Sequence, residues 1–374
     1  MRSLYVHIPF CAARCPYCDF FVHFASHLIE PFFSALSRET ASRSGELQGE
    51  SIAAIHFGGG TPSMVPVRYL AAWLEQVAGI ASFAPDIEIT VEANPEDLSL
   101  AKLDELHAAG ITRISLGVQS FVREKLQRLG RHHGVSEAVT VVEAALQRFH
   151  SVSLDLICGV PGETLPDWQQ DLARAMQTCP HHLSVYMLSI EPGTRFARAQ
   201  ANGAMMPPDD GLLADCYSWA MEELPRHGFR QYEVSNFALP GHHSRYNLAC
   251  WQRKPYHGFG PAAHSFLVEG EREFRRANIA RLGLYLAQPT KASLSIEELS
   301  DRERFVEQVL LTLRINTGLD IGFLLKEHKF RPNLQEAIGR FEHRGWLEHK
   351  HGVLYLTAKG YLFADLIAEA FISY

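Results

Sequence analysis

The sequence predicts an α/β protein: a partial (β/α)6 barrel followed by a smaller, winged-helix-like α+β domain. Three observations carry this prediction. Short β-rich runs alternate with helical patterns through the first two-thirds of the chain, a Gly- and Pro-rich stretch breaks the rhythm around residues 190–280, and a pattern of helices ending in a hairpin begins near Leu294. Alternating strands and helices give parallel βαβ units with helices outside the sheet, and six such units suit a partial barrel. The expected boundaries are 1–190 for the barrel, 191–293 for an extension on the substrate side, and 294–374 for the C-terminal domain.

Each element has its own signal. Ser3–Pro9, Ala53–Phe57, Ile87–Ala93, Arg113–Leu116, Val152–Ile157 and His182–Ser189 read as strands. Between them Ser26–Thr40, Val67–Val77, Leu100–Ala109, Val135–Phe149 and Leu165–Thr178 carry apolar residues at three- and four-residue spacing, several after a Ser, Asp or Pro that suits a helix start. In the extension, Asp210–Arg226 has a helical pattern and Gln231–Asn236 reads as a strand. The C-terminal part predicts helices near Ser300–Leu313, Ile321–Glu327 and Leu334–Arg344. A hairpin of Trp346–Lys350 and Val353–Leu356 turning at His351-Gly352 follows, and then a last helix. Ligands in such a barrel belong at the C-terminal ends of the strands.

With 374 residues and 47% hydrophobic content the chain can fill a substantial core. No apolar run approaches the ~20 residues that span a bilayer, and the N-terminus lacks the basic, apolar and small-residue order of a signal peptide, so a cytoplasmic location without a transmembrane segment is expected. The net charge of −7 leaves no basic footprint, which argues against a nucleic-acid partner.

The chemistry concentrates in Cys11-Ala-Ala-Arg-Cys15-Pro-Tyr-Cys18, just after the first predicted strand. Thiolates are the usual ligands of iron–sulfur clusters, and three of them leave one iron of a [4Fe–4S] cubane without a protein ligand. The spacing resembles that of the radical S-adenosylmethionine (SAM) superfamily, in which the open iron chelates the methionine end of SAM. Cys158, Cys179, Cys216 and Cys250 are scattered singly, as buried small apolar residues would be. A zinc knuckle completed by His7 or His23, or a disulfide with a spare thiol, is the competing reading, but zinc sites usually use paired Cys-x2-Cys units. Free thiolates also fit a reducing compartment.

Strand ends supply further candidates. The second strand runs into Gly58-Gly59-Gly60-Thr61-Pro62, where bare backbone lets a ligand approach and Thr61 offers a hydroxyl; a plain tight turn is the bland alternative. Glu92 ends the third strand, where a carboxylate can meet ribose hydroxyls or an ammonium. Gln119, Arg131 and Asp155 sit at equivalent places. A charge inside the apolar strand of Asp155 costs free energy unless partnered, so Asp155 either salt-bridges an arginine such as Arg131 or meets a polar ligand. Arg131 could instead grip a carboxylate bidentately.

The cysteine triplet, Tyr17-Cys18-Asp19-Phe20, Phe57-Gly-Gly-Gly-Thr-Pro62, Glu92-Ala-Asn-Pro95, Gly117-Val-Gln-Ser-Phe121, Leu129-Gly-Arg131, Asp155-Leu-Ile157 and Gly159-Val-Pro-Gly162 together resemble the oxygen-independent coproporphyrinogen III oxidase group, specifically its HemW branch of haem chaperones. The likeness spans nearly the whole chain. It implies cluster ligation by Cys11, Cys15 and Cys18. It also implies a SAM region lined by Tyr5, Tyr17, Gly59, Gly60, Thr61, Glu92, Gln119, Arg131 and Asp155, with Ser189 and His264 in addition. The oxidases carry a further cysteine one residue after the third; here that place is Phe20, which favours a haem chaperone over a porphyrinogen oxidase. The chaperones carry His-Asn-x-x-Tyr-Trp for haem, and the matching stretch is Tyr246-Asn-Leu-Ala-Cys250-Trp251. Cys250, Tyr246, His242 or His243 are then the haem-iron candidates, beside the plainer reading of a surface His pair and a buried Cys. The expected function is haem binding and delivery to an acceptor protein, with cluster, SAM and haem as cofactors and an external electron donor. The alternative is a radical SAM oxidoreductase acting on a porphyrinogen, with a SAM-derived radical doing the chemistry. A winged helix meeting another macromolecule is a third reading.

Overall fold

The computed structural model describes residues 2–326 and 334–372. Six parallel strands form the barrel: β1 (Arg2–Ile8), β2 (Ser51–Gly59), β3 (Ser82–Ala93), β4 (Arg113–Gln119), β5 (Ser151–Cys158) and β6 (His182–Met187). They pair in sequence order. Helices follow them as expected: α1 (Ile29–Ser42), α2 (Val67–Ala78), α3 (Leu100–Ala108), α4 (Val135–Leu146) and α5 (Leu165–Gln177). Ser99 caps α3, and the Thr164/Asp167 box caps α5, satisfying donors that a helix start leaves free.

The strands explain both faces of the sheet. Leu4, Val6 and Ile8 of β1, Ile114, Leu116 and Val118 of β4, and Val152, Leu154 and Leu156 of β5 all join one hydrophobic core. Their alternate neighbours point the other way, since side chains switch faces at every strand residue. That inner set is polar: Tyr5 and His7, His56, Glu92, Ser115, Ser153 and Asp155. A sheet apolar on its helix side and polar on its concave side is built to face a polar ligand.

The open sheet is prolonged at both sides, giving twelve strands among the described residues. Beyond β6 lie β8 (Asn236–Ala238) and β7 (Arg230–Gln231), both antiparallel. The single strand expected over Gln231–Asn236 is therefore two pieces around a turn. Tyr232–Ser235 leaves the ladder because it docks elsewhere: Tyr232 O accepts from Asn316 N at 3.0 Å, and Glu233 forms an isolated bridge with Ile315. Beyond β1 lie β9 (Tyr256–Phe259), β10 (His264–Glu269) and β11 (Arg272–Asn278), in a region read from sequence only as Gly- and Pro-rich, and β12 (Ser293–Glu298), which crosses the expected start of the C-terminal part. Between these two flanks, α6 (Asp210–Arg226) packs on α5, and α7 (Arg245–Trp251) lies against β1 and β2.

The C-terminal part has its own core of Phe305, Val309, Leu324, Phe341, Ile367 and Phe371 among others. It contains α8 (Asp301–Thr312), α9 (Ile321–Lys326), α10 (Leu334–His343) and α11 (Ala364–Ile372), with β13 (Leu319–Asp320), β14 (Leu347–Lys350) and β15 (Val353–Leu356) as a sheet in the order β13-β15-β14. The hairpin turns at His351 and Gly352, both at positive φ (52° and 81°), as a two-residue turn between strands of this twist requires. The expected end of the second helix, Glu327, lies outside the described residues. No helix among the described residues is long and apolar enough to cross a membrane.

Candidate functional site

A cavity of about 660 Å³ opens at the C-terminal ends of β2 to β6, and the cysteine loop forms one wall. The loop is closed at its base by backbone alone: Cys11 N donates to His23 O at 3.0 Å, and Phe10 and His23 form a parallel bridge. Two further straps hold it. Thr61 N donates to Phe10 O at 2.7 Å, and on the far side Phe196 N donates to Pro16 O at 2.9 Å. Cys11, Cys15 and Cys18 all line the cavity and are free thiols. Thr61 Oγ1 donates to Cys11 Sγ at 3.4 Å, and Arg131 Nη1 to Cys15 Sγ at 3.6 Å. Burial pushes the Cys11 thiol up to about 11 and that of Cys18 upward as well.

One of the two histidines considered for a zinc knuckle is already engaged. Both nitrogens of His7 are engaged, Nε2 with Phe21 O at 2.9 Å and Nδ1 with Tyr5 Oη at 3.2 Å, so His7 is not poised to complete a tetrahedron. Among the described residues no three His, Cys, Asp or Glu side chains converge as a cage for one ion.

A side chain at any of the three glycines would run into the protein's own atoms. A Cβ on Gly58 would stand 2.9 Å from Glu92 Oε1, and one on Gly60 would stand 2.7 Å from Phe10 O. Gly59 combines a φ of +107° with an approach of 2.5 Å to His7 Nδ1. Gly59, Gly60 and Thr61 line the cavity beside Glu92. The Glu92 carboxylate is held by His56 Nε2 at 2.8 Å and by Gly59 N at 3.2 Å, yet keeps 38% of its side chain exposed.

Opposite stand Arg131, Gln119 and Asp155, all lining the cavity. Arg131 Nη2 donates to Asn94 Oδ1 and, at 2.7 Å, to Gly117 O. Its Nε is buried with no partner among the described residues. Gln119 adopts a φ of 64°, and the chain after it is pinned by Asp171, which accepts from Phe121 N and Ser120 Oγ, both at 2.6 Å. Asp155 makes no salt bridge among the described residues; it accepts from Ser115 Oγ at 3.3 Å. The ion pair with Arg131 is not formed. Burial, reinforced by the charge of Glu92 and opposed by Ser184, Ser115 and Arg113, raises the Asp155 carboxyl to about 6.

Tyr17 and Ser189 complete the lining. The remaining candidates lie elsewhere. Tyr5 sits behind the cavity wall, its ring 5.8 Å from that of Tyr246. Tyr246 and Cys250 lie one turn apart on α7 and are half-buried, and burial pushes the Cys250 thiol up to about 12 against the pull of Tyr246 and Arg275. His243 packs on Tyr232 with ring centroids 4.5 Å apart, and His264 opens β10 as an exposed side chain. The structure thus gathers the three cysteines and most SAM candidates around one cavity and leaves the haem candidates outside its lining, His242 against His181, His243 against Tyr232 and Tyr246 against Tyr5 and His56. Sequence reading missed His56, Asn94, Ser115, Tyr186 and Met187. His56 had a usable signal, being a polar residue in register with Gly58 inside an apolar strand.

The model of the radical SAM superfamily matches residues 5–175. Over 377 residues the chain is 32% identical to the haem chaperone HemW of Bacillus subtilis, covering 100% of this chain and 99% of that protein. It is 33% identical to the haem chaperone HemW of Escherichia coli, with 99% and 98% covered. The solved structure of coproporphyrinogen III oxidase (HemN) from Escherichia coli superposes with a TM-score of 0.84 at 24% identity, covering 100% of this chain and 90% of that one, which shows a shared fold. With relatives matched from end to end and a cysteine-lined cavity at the strand ends, the chain belongs to the HemW family of radical SAM proteins.

Proposed function

We propose that this chain holds a [4Fe–4S] cluster on Cys11, Cys15 and Cys18, binds SAM against it, and carries haem to an acceptor protein in the cytoplasm. The observation that carries the reading is the end-to-end similarity to proteins named haem chaperones. Phe20, 60% exposed at the cavity where the oxidases place a further cysteine, supports it against the porphyrinogen-oxidase alternative.

A cluster with one iron free of protein ligands supplies, when loaded, a coordination position and an electron beside SAM. The residues of the chain do the rest. Gly59 and Gly60 leave room for close approach of a ligand to the backbone, and Glu92 accepts from its ammonium or ribose hydroxyls. Arg131, fixed by Asn94 and Gly117, lines the cavity as a cation for the SAM carboxylate. Gln119, Asp155, Tyr17 and Ser189 border the remaining space, with Tyr5 behind the wall and His264 outside it. Haem iron is met by one of Cys250, Tyr246, His242 and His243, and an external electron donor serves the cluster.

Anaerobic reconstitution tests the cluster: about four iron per chain is expected, lost in Cys15→Ala. Zinc with no iron uptake rejects it. Haemin titration is expected to give a saturable Soret shift that changes in Cys250→Ala or His243→Ala; absence of any saturable shift rejects the haem reading.

A further inference from the structure

His56 is 6% exposed, does not line the cavity at the strand ends, and bonds through Nε2 to Glu92 Oε1, while the other carboxylate oxygen of Glu92 accepts from Gly59 N. The two contacts fix the plane of the Glu92 carboxylate and leave its open lone pairs toward the cavity. The other ring nitrogen of His56, Nδ1, is buried with no partner among the described residues. Its ring is instead stacked: the Tyr246 centroid lies 4.9 Å away at 27° and that of Tyr5 6.1 Å away at 25°. With Nδ1 buried and without a hydrogen bond among the described residues, the imidazole is oriented by these rings on one side and by Glu92 on the other.

Tyr246 belongs to α7, which is tied to the bottom of the barrel, where Glu88 Oε1 accepts from Arg245 N at 2.8 Å. The contact path therefore runs from α7 through Tyr246 and His56 to Glu92, from the haem candidates to the SAM candidates.

We propose that His56 is a positioning residue that orients Glu92 for SAM and makes this orientation depend on the ring of Tyr246. The inference deepens the proposed function and rests on its assignment of Glu92 to SAM. A partner of a ligating group changes affinity by its hold on that group, commonly about tenfold.

SAM affinity is measured by equilibrium dialysis on the anaerobically reconstituted full-length chain, with melting curves as a check on folding. His56→Leu is expected to weaken SAM binding about tenfold, and His56→Gln, whose side-chain amide places a donor near the Nε2 position, to restore most of it. Tyr246→Leu is expected to weaken binding about fivefold although Tyr246 lies outside the cavity, while Tyr246→Phe, which keeps the ring, restores it. Wild-type affinity in both Leu variants overturns the inference and leaves the proposed function standing. Equal loss in His56→Leu and His56→Gln at unchanged melting temperature also overturns it. A wild-type chain that fails to bind SAM removes the proposed function, and the inference with it.

Discussion

Replacing Lys125 by Met strands two buried carboxylates. Lys125 Nζ sits 2.5 Å from Glu163 Oε1 and 3.0 Å from Asp171 Oδ2, and all three residues are buried. Met matches the length of the Lys stem and keeps contact with Trp168, over whose ring Nζ now lies 5.0 Å from the centroid, so the loss is mainly one of charge. Removing one member of a buried ion pair costs about 3–5 kcal/mol, because the partner is left uncompensated. The lower half of that range applies here, since Glu163 also accepts from Gly159 N at 2.6 Å and Val160 N at 3.0 Å, and Asp171 from Phe121 N. The deficit carries a pH signature. Burial raises the Glu163 carboxyl even with Lys125 present, and Lys125 is the charge that opposes it. In the variant the folded state binds more protons than the unfolded one above the ordinary carboxylate value of about 4.3, so stability falls as pH rises. Urea unfolding at pH 5.5 and pH 8 checks this, with the larger deficit expected at pH 8. A loss under about 1 kcal/mol at pH 8, or equal losses at both values, refutes the reasoning.

Two other outcomes follow from the titrating groups. Asp155, raised to about 6 by burial and the charge of Glu92, is ionised above that value, so SAM affinity should fall as pH drops through 6, and Asp155→Asn should flatten the step in a binding titration. His242 stacks on His181 with centroids 4.4 Å apart, and burial together with the neighbouring His181, His150 and Arg113 lowers it to about 4. The unfolded chain takes up this proton near 6.5 and the folded chain only near 4, so stability should be lost between those values on acidification; His242→Phe should lessen the drop in melting temperature between pH 7 and pH 5.

The barrel was legible because its strands announce themselves: a run such as Val152–Ile157, bounded by helices with their own caps, has few other ways to bury its apolar face. The cysteine loop and the strand-end residues were legible for a related reason, since their chemistry is tied to short local spacings. What stayed hidden depends on contacts remote in sequence. β10 to β12 alternate charged and apolar residues too loosely for a clear period, and Leu294 and Ile296 are 69% and 57% exposed on the last of them. The split at Tyr232–Ser235 is set by Asn316 and Ile315, roughly eighty residues on, and no local pattern encodes it. The hold of His56 on Glu92 joins two strands and was equally out of reach.

The straps on the cysteine loop bear on how such a protein is assembled and maintained. Phe10, Pro16, His23 and Thr61 secure the loop through main-chain groups, and none of those bonds involves a sulfur atom. In zinc fingers the ion creates the fold, and stripping it away leaves a denatured peptide. The loop here is tied by main-chain bonds that no inorganic group supplies. Loss of the proposed cluster therefore removes none of the bonds that shape the loop.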